Sequence, residues 1–189
     1  IQESRINLLK KKKNIPILAV KDSGDIAIES LRSMRTAIHF ALMNASNNVI
    51  ALSGPAPEIG KSFITVNLAT ILAQSGKRVL VIDGDMRRGY LHKYFNAEVQ
   101  PGLAELLNHQ NSYADVVQNS TVKNLFFVTR GKSPVNPSEL LSTDQFKAFL
   151  DQASAHFDHI IIDTPPVLAV TDGIIIAQYE GENLMIARH

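Results

Sequence analysis

The stretch from residue 49 to residue 62 constrains the fold more than any other part of the chain. It reads VIALSGPAPEIGKS, an apolar run followed by a loop that closes on Gly60, Lys61 and Ser62. Apolar residues at helical spacing follow from Phe63 onward. A strand, such a loop and a helix form a phosphate cradle, in which backbone N–H groups and the helix N-terminus face an anion. The stretch therefore predicts nucleotide binding, with Lys61 on the outer phosphates and Ser62 on Mg²⁺.

The Gly-Lys-Ser tripeptide occurs a second time, at residues 131–133. Pro134 follows directly and disfavours a helix at the preceding residue, so no helix N-terminus is expected to bind phosphate there. The first copy departs from the usual GxxxxGK[ST] pattern, because Pro55 stands at the first glycine position and Gly54 one residue earlier. Its strand and helix context still favours phosphate binding at the first copy alone.

Strands and helices are predicted to alternate along the chain. Strand-like apolar runs lie at 49–53, 79–83, 125–129, 159–163 and 183–188. Helical patterns lie at 25–43, 62–75, 101–109, 138–155 and 171–179. This alternation predicts an α/β fold like that of P-loop nucleotide-binding domains, a three-layer sandwich with a mostly parallel sheet and helices on both faces.

Composition indicates one globular domain with a sizeable core. The chain has 189 residues, 45% of them hydrophobic, and a formal net charge of +1, which gives no argument for a nucleic-acid partner. It has no cysteine, which excludes disulfides and thiol chemistry.

Residues 1–24 are polar and include a run of four lysines at 10–13. We interpret them as a basic linker, with a patch facing anionic lipid as the alternative, and residues 25–189 as the domain. Because the chain starts at Ile1 and stops just after a strand-like run, we expect a fragment of a longer protein that lacks a closing helix.

Acidic residues follow two of the predicted strands. Asp83 and Asp85 come after the run at 79–82, and Asp163 follows the run at 160–162. Ligands of open parallel sheets bind at the carboxyl ends of the strands, so these acids are expected to converge on the phosphate loop. Carboxylates there can ligate Mg²⁺ and take a proton from an attacking hydroxyl. A single Asp in such a place is more often a helix cap, but three together favour a catalytic cleft.

Together these segments resemble the bacterial protein-tyrosine kinases, in particular the cytoplasmic kinase domain of Wzc/Etk-type polysaccharide co-polymerases. Residues 53–62 are similar to the family's Walker A motif, 83–87 to its Walker A′ motif and 160–166 to its Walker B motif. The family's E-x-x-R-x-x-R motif is matched by Glu29, Arg32 and Arg35. The resemblance covers most of residues 15–188.

The resemblance implies a role for each matching residue. The catalytic set would be Lys61, Asp83, Asp85 and Asp163, with Asp83 as the base for the incoming tyrosine hydroxyl. Mg²⁺ would be held by Ser62, Asp85 and Asp163. ATP or ADP would be bound by Gly54, Pro57, Glu58, Ile59, Gly60, Lys61, Ser62, Phe63 and Arg87.

The resemblance also implies regulation and assembly. Tyr90 would be a regulatory tyrosine that pairs with Arg130 once phosphorylated, although an ordinary half-buried tyrosine is an equal alternative. The motif residues Glu29, Arg32 and Arg35 would contact a neighbouring subunit in a ring-like homo-oligomer. Their alternative is a solvated helix edge with intrahelical ion pairs.

For the whole protein the resemblance implies an ATP-dependent tyrosine autokinase that regulates capsular or exopolysaccharide synthesis and export. It would be the cytoplasmic domain of a bacterial inner-membrane protein, attached to the membrane through a missing N-terminal part. Its partners would be the tyrosine-rich tail of a neighbouring subunit and a cognate phosphotyrosine phosphatase. The family's own C-terminal tyrosine cluster is absent from this sequence.

Three other functions compete with tyrosine phosphorylation. A partitioning ATPase of the deviant-Walker type would carry a second lysine where this chain has Ala56. A small-molecule kinase or ligase would need a substrate pocket that the sequence does not reveal. A nucleotide-gated assembly module without kinase activity could use the same site. An ordinary protein kinase is excluded, because its Gly-rich loop, His-Arg-Asp and Asp-Phe-Gly motifs do not occur.

Overall fold

A single sheet separates the molecule into two helical layers. The computed structural model describes residues 14–55, 60–166, 172–179 and 181–185. Within these ranges the strands are β1 (Val49–Ser53), β2 (Val79–Asp83), β3 (Gln118–Asn119), β4 (Leu125–Val128), β5 (His159–Asp163) and β6 (Glu182–Met185). Their spatial order is β3-β4-β2-β5-β1-β6, and every pair is parallel except β3 with β4. The predicted mostly parallel α/β sheet is confirmed.

Helices cover both faces of the sheet. The described helices are α1 (Leu18–Lys21), α2 (Ile26–Leu42), α3 (Lys61–Gln74), α4 (Leu103–Leu107), α5 (Tyr113–Val116), α6 (Pro137–Leu141), α7 (Asp144–His156) and α8 (Asp172–Ala177). Alternate residues of each strand point to opposite faces. In β5, Ile160 and Ile162 pack in a core with α4 to α8, whereas Ile161 packs in the core beneath α2 and α3. The result is the predicted three-layer sandwich.

Helix α3 lies almost entirely inside the protein, immediately after the phosphate loop. Eleven of its fourteen residues are buried, which suits its apolar residues on all sides. Its two buried threonines are satisfied within the helix: Thr65 Oγ1 donates to the carbonyl of Lys61 at 2.9 Å, and Thr70 Oγ1 to that of Val66 at 2.8 Å. These hydrogen bonds allow both threonines to be buried where the helix packs inside the protein.

The packed body of the domain begins before residue 25. Helix α1 buries Ala19 against a cluster that includes Ile28 and Ile71. The amide of Ala19 donates to Asn67 Oδ1 at 2.8 Å, and the amide of Ile15 donates to the carbonyl of Lys93 at 3.1 Å. Residues 15–21, which were predicted to belong to the polar extension, therefore pack on the domain. The lysines at 10–13 lie outside the described residues.

Several element boundaries differ from the predicted ones. The predicted helix at 138–155 is two helices, α6 and α7, because Thr143 is extended (φ −77°, ψ 152°) and separates them. The predicted helix at 101–109 is shortened to α4. Three short elements, α1, α5 and β3, were not predicted, since two to four residues are too few to show a periodicity.

Candidate active site

The phosphate loop connects β1 to α3 at the carboxyl edge of the sheet. Gly60 precedes α3 in the left-handed conformation (φ 87°), which glycine adopts without strain. Helix α3 has fourteen residues, and its N-terminus lies at this edge, where the helix dipole and free N–H groups favour a bound anion. Gly54 and Phe63 flank this turn, whereas the predicted nucleotide-binding residues Pro57, Glu58 and Ile59 lie outside the described residues.

Asp163 contacts two other residues of the predicted site. It is 1% exposed at the end of β5, and both Lys61 Nζ and Ser62 Oγ donate to its carboxylate, the latter at 2.5 Å. Burial raises the pKa of Asp163, and the charge and hydrogen bond of Lys61 oppose that rise. The structure therefore brings together the three residues that were predicted to bind phosphate and Mg²⁺ from two separate segments.

Asp83 lies beside Asp163, because the two residues are register partners in the β2–β5 pair. Its side chain is completely buried, and Oδ2 accepts a hydrogen bond from the amide of Leu91 at 3.1 Å. Oδ1 is buried with no hydrogen-bond partner among the described residues. Burial, together with the charge of Asp163, raises the pKa of Asp83 well above its ordinary value. Such a carboxyl group is suited to hold a proton taken from a reacting hydroxyl.

Gly89 closes over Asp83 and was not identified from the sequence. A Cβ atom at this position would lie 2.0 Å from Asp83 Oδ1, so no residue with a side chain fits without displacing the carboxylate. The amide of Gly89 donates to the carbonyl of Asp85 at 2.7 Å, which folds the loop back over the strand end. The neighbouring residues Arg88 and Tyr90 do not indicate that Gly89 must pack against Asp83.

Asp85 is partly buried and organises the loop after β2. Its Oδ1 accepts hydrogen bonds from the amides of Arg87 at 3.2 Å and Arg88 at 2.9 Å. Its charge contributes to raising the pKa values of both Asp83 and Asp163, which indicates that the three carboxylates share one region.

The donor set fits a magnesium ion. The hydroxyl of Ser62 and the carboxylate of Asp163 are adjacent, and Asp85 is nearby. Among the described residues, no three His, Cys, Asp or Glu side chains form a metal site by themselves. Magnesium prefers few protein ligands supplemented by water and phosphate oxygens, so this sparse set suits a nucleotide-bound Mg²⁺.

Arg87 contacts an acid that was not among the predicted site residues. Its Nε donates to Asp172 Oδ2 at 3.0 Å, across 85 positions of sequence. Asp172 is fully buried at the start of α8, and Ser138 Oγ donates to its other oxygen. In this structure the side chain of Arg87, which was predicted to bind nucleotide, is therefore bound to Asp172.

Tyr90 and Arg130 lie close together beside the loop that follows β2. Tyr90 is 38% exposed, and its ring stacks on Tyr94 with 6.4 Å between centroids. Arg130 Nε donates to the carbonyl of Gly89 at 2.9 Å, and Nη1 donates to Ser133 Oγ at 2.9 Å. Arg130 therefore contacts the residue preceding Tyr90, and its role as a phosphate partner stays a prediction.

The predicted oligomerisation residues line one flank of α2. Glu29 is exposed and forms an intrahelical ion pair with Arg32, three residues on. Arg35, near the middle of the helix, borders a groove together with Lys77 and His159. The ion pair is the arrangement expected of a solvated helix edge, and a subunit contact through these residues stays a prediction.

The second Gly-Lys-Ser tripeptide is not a phosphate loop. No helix begins directly at the tripeptide, because α6 starts only at Pro137. The amide of Lys132 donates to Glu105 Oε1 at 3.0 Å. Glu105 is itself buried, so a carboxylate already accepts the hydrogen bond of this amide, and its negative charge would repel a phosphate. The assignment of phosphate binding to Gly60, Lys61 and Ser62 alone is consistent with this geometry.

Comparison with known proteins identifies relatives of the whole domain. Residues 47–186 match the family model described as an AAA domain. The chain is 72% identical over 189 residues to tyrosine-protein kinase ptk of Acinetobacter johnsonii, covering all of this chain and 26% of that protein. It thus spans about a quarter of the length of the curated relatives it matches. No helix in the described residues has the length and apolar character needed to cross a bilayer.

Solved structures agree in fold and sequence. The BceF tyrosine kinase domain superposes with a TM-score of 0.86 at 48% identity, covering 97% of this chain and 73% of that one. The kinase domain of Escherichia coli tyrosine kinase ETK superposes with a TM-score of 0.89 at 42% identity, covering 93% and 69%.

Proposed function

The chain belongs to the bacterial tyrosine-protein kinase family, and we propose that it transfers the γ-phosphoryl group of Mg-ATP to tyrosine hydroxyls. The observation that carries this proposal is the contact of Lys61 and Ser62 with Asp163, directly beside the buried Asp83. The phosphate-binding residues and the proton acceptor Asp83 therefore lie together at the carboxyl edge of the sheet.

The nucleotide would lie along the loop between β1 and α3. Its phosphates would be bound by Lys61 and by the loop from Gly54 to Phe63. Glu58, Ile59 and the residues after them would donate backbone N–H groups, whereas Pro57 has none and would only shape the loop. Mg²⁺ would be held by Ser62, Asp85 and Asp163, and would neutralise charge on the β- and γ-phosphates. Lys61 exchanges its contact with Asp163 for the phosphates in this proposal, as its long side chain permits.

Asp83 would act as the base. The tyrosine oxygen attacks the γ-phosphorus, the bond from that phosphorus to the β-phosphate oxygen breaks, and the hydroxyl proton passes to Asp83. The raised pKa of Asp83 supports proton acceptance, because a carboxylate with an ordinary pKa is a weak base at neutral pH. The products are ADP and phosphotyrosine.

The acceptor would be the tyrosine-rich tail of a neighbouring subunit. In this proposal the subunits form a ring through Glu29, Arg32 and Arg35, with the ion pair of Glu29 and Arg32 exchanged for contacts between subunits. The domain would be the cytoplasmic part of a bacterial inner-membrane protein that regulates polysaccharide synthesis and export. A cognate phosphatase would reverse the modification.

Phosphorylation of Tyr90 would add a regulatory step. The exposed position of Tyr90 and the contact of Arg130 with the adjacent Gly89 carbonyl support this proposal. A phosphate on Tyr90 would gain a charge-assisted partner in Arg130 and open the rim of the cleft. Tyr90→Phe without any effect on kinase activity would remove this step.

A matched set of variants tests the kinase function. Incubation with Mg-ATP and a tyrosine-containing tail peptide is expected to produce phosphotyrosine. Lys61→Met is expected to lose both nucleotide binding and phosphotyrosine, and Asp83→Asn to lose phosphotyrosine while it retains nucleotide binding. Lys132→Met changes the same tripeptide in the second copy and is expected to behave like the wild type. Equal losses in the two lysine variants would overturn the proposed site.

A further inference from the structure

Asp172 joins three segments that are distant in the sequence. It is the first residue of α8 and is fully buried. One carboxylate oxygen accepts from Arg87 Nε at 3.0 Å, in the loop after β2. The other accepts from Ser138 Oγ, in the first turn of α6.

The burial of Asp172 explains why its contact with Arg87 must be kept. A buried carboxylate is unfavourable unless charged or hydrogen-bonding partners compensate it, so Asp172 requires Arg87 in its present position. Arg87, in contrast, has a side chain that is 44% exposed and could be solvated elsewhere. The buried Asp172 therefore restrains the loop that carries Arg87.

That loop carries Asp85 and directly follows Asp83, the last residue of β2. Arg87 lies two residues after Asp85 and two before Gly89, which packs against the carboxylate of Asp83. A second tether acts on the same loop, since Arg130 Nε donates to the Gly89 carbonyl at 2.9 Å. The loop is thus fixed at both ends of its last turn, by Asp172 and by Arg130.

We propose that Asp172 is a positioning residue, which sets the loop from residue 84 to residue 89 by holding Arg87. It contacts neither nucleotide nor tyrosine in this account. Its effect reaches the reaction through Asp85 on the metal side and Asp83 on the hydroxyl side. This proposal rests on the proposed function for its catalytic consequences, and its structural part can be tested on nucleotide binding alone.

Asp172→Asn tests the proposal, since it keeps the size of the side chain and an acceptor for Ser138 but removes the charge that faces Arg87. We expect the rate of phosphotyrosine formation and the affinity for a fluorescent ADP analogue with Mg²⁺ to fall about tenfold or more, as is usual for lost support of metal-site ligands. Asp172→Glu, which retains the charge, is expected to restore part of the loss. Asp151→Asn is the matched control, because Asp151 pairs with Lys147 on the surface of α7.

A double-mutant cycle separates positioning from simple stability. Arg87→Ala is expected to lower rate and affinity in the wild type but to add little in Asp172→Asn, because both act through one contact. Additive losses, or normal rate and affinity per folded molecule in Asp172→Asn, would overturn the proposal. If Asp172→Asn does not fold, Arg87→Ala alone decides: an unchanged rate and affinity per folded molecule refute the proposal, whatever the melting temperature.

The same experiment distinguishes the two proposals. A wild-type protein that makes no phosphotyrosine from Mg-ATP would contradict the proposed function. The cycle on Mg-ADP binding would still give a coupling between Asp172 and Arg87, or its absence, and so decide the positioning role by itself.

Discussion

Replacing Gly89 by alanine tests the geometry around Asp83 most sharply. The new Cβ atom would lie 2.0 Å from Asp83 Oδ1, whereas real Cβ atoms essentially never approach within 3.0 Å, so the groups must separate by about 1 Å. The carboxylate has little room to move, since it is completely buried and bonded to the amide of Leu91 at 3.1 Å.

Two magnitudes follow from this clash. A displacement of about 1 Å at a catalytic group can cost about a hundredfold in rate. Overpacking a buried site costs about 1–3 kcal/mol of folding free energy, and each kcal/mol lowers the melting temperature of a domain of this size by roughly 2–4 °C. We therefore expect Gly89→Ala to lose about two orders of magnitude in phosphotyrosine formation and to melt several degrees lower.

The assay combines the rate of peptide phosphorylation, thermal unfolding and binding of a fluorescent ADP analogue. Gly24→Ala is the control, because a Cβ atom at Gly24 meets its nearest neighbour, Asp22 Oδ1, at an ordinary 3.8 Å. Gly89→Ala with a rate within twofold of the wild type and an unchanged melting temperature would refute the close packing of Gly89 on the catalytic acid.

Three further variants test other parts of the account. Because the raised pKa of Asp83 makes the folded protein bind more protons than the unfolded chain, stability should fall as pH rises from about 4 toward that pKa. Urea unfolding across this range should show Asp83→Asn with a flatter profile and greater stability at neutral pH; identical profiles would contradict the shift. Asn67→Ala should cost about 1–3 kcal/mol in urea unfolding by orphaning the buried amide of Ala19, and should expose residues 14–24 to protease, with full protection as the contrary result. Gly60→Ala should cost about 1–2 kcal/mol through its left-handed conformation (φ 87°) and weaken Mg-ADP binding in a titration, which unchanged affinity would contradict.

The sequence was most informative where strands are buried on both faces. The predicted bounds of β1, β2 and β5 coincide with the observed ones, because continuous apolar runs end sharply at Ser53, Asp83 and Asp163. The same three strands deliver the site residues to one edge, so the convergence of Lys61, Ser62 and Asp163 followed from the α/β order alone.

Pairings between distant side chains could not be predicted in this way. Neither the contact of Arg87 with Asp172 nor the packing of Gly89 on Asp83 leaves a periodic pattern, because each depends on the tertiary positions of two loops. The division between α6 and α7 was missed for a different reason. Ser142 and Thr143 are a recognisable break, but the apolar spacing continues across them and suggests one helix.

The central claim is that one cleft both binds Mg-ATP and transfers its phosphoryl group to tyrosine. Counting ADP and phosphotyrosine formed in the same reaction with a tail peptide tests it most directly. The account predicts phosphotyrosine in proportion to the ADP released, with Lys61→Met abolishing both and Lys132→Met affecting neither. Steady release of ADP without phosphotyrosine would contradict it and favour an ATPase.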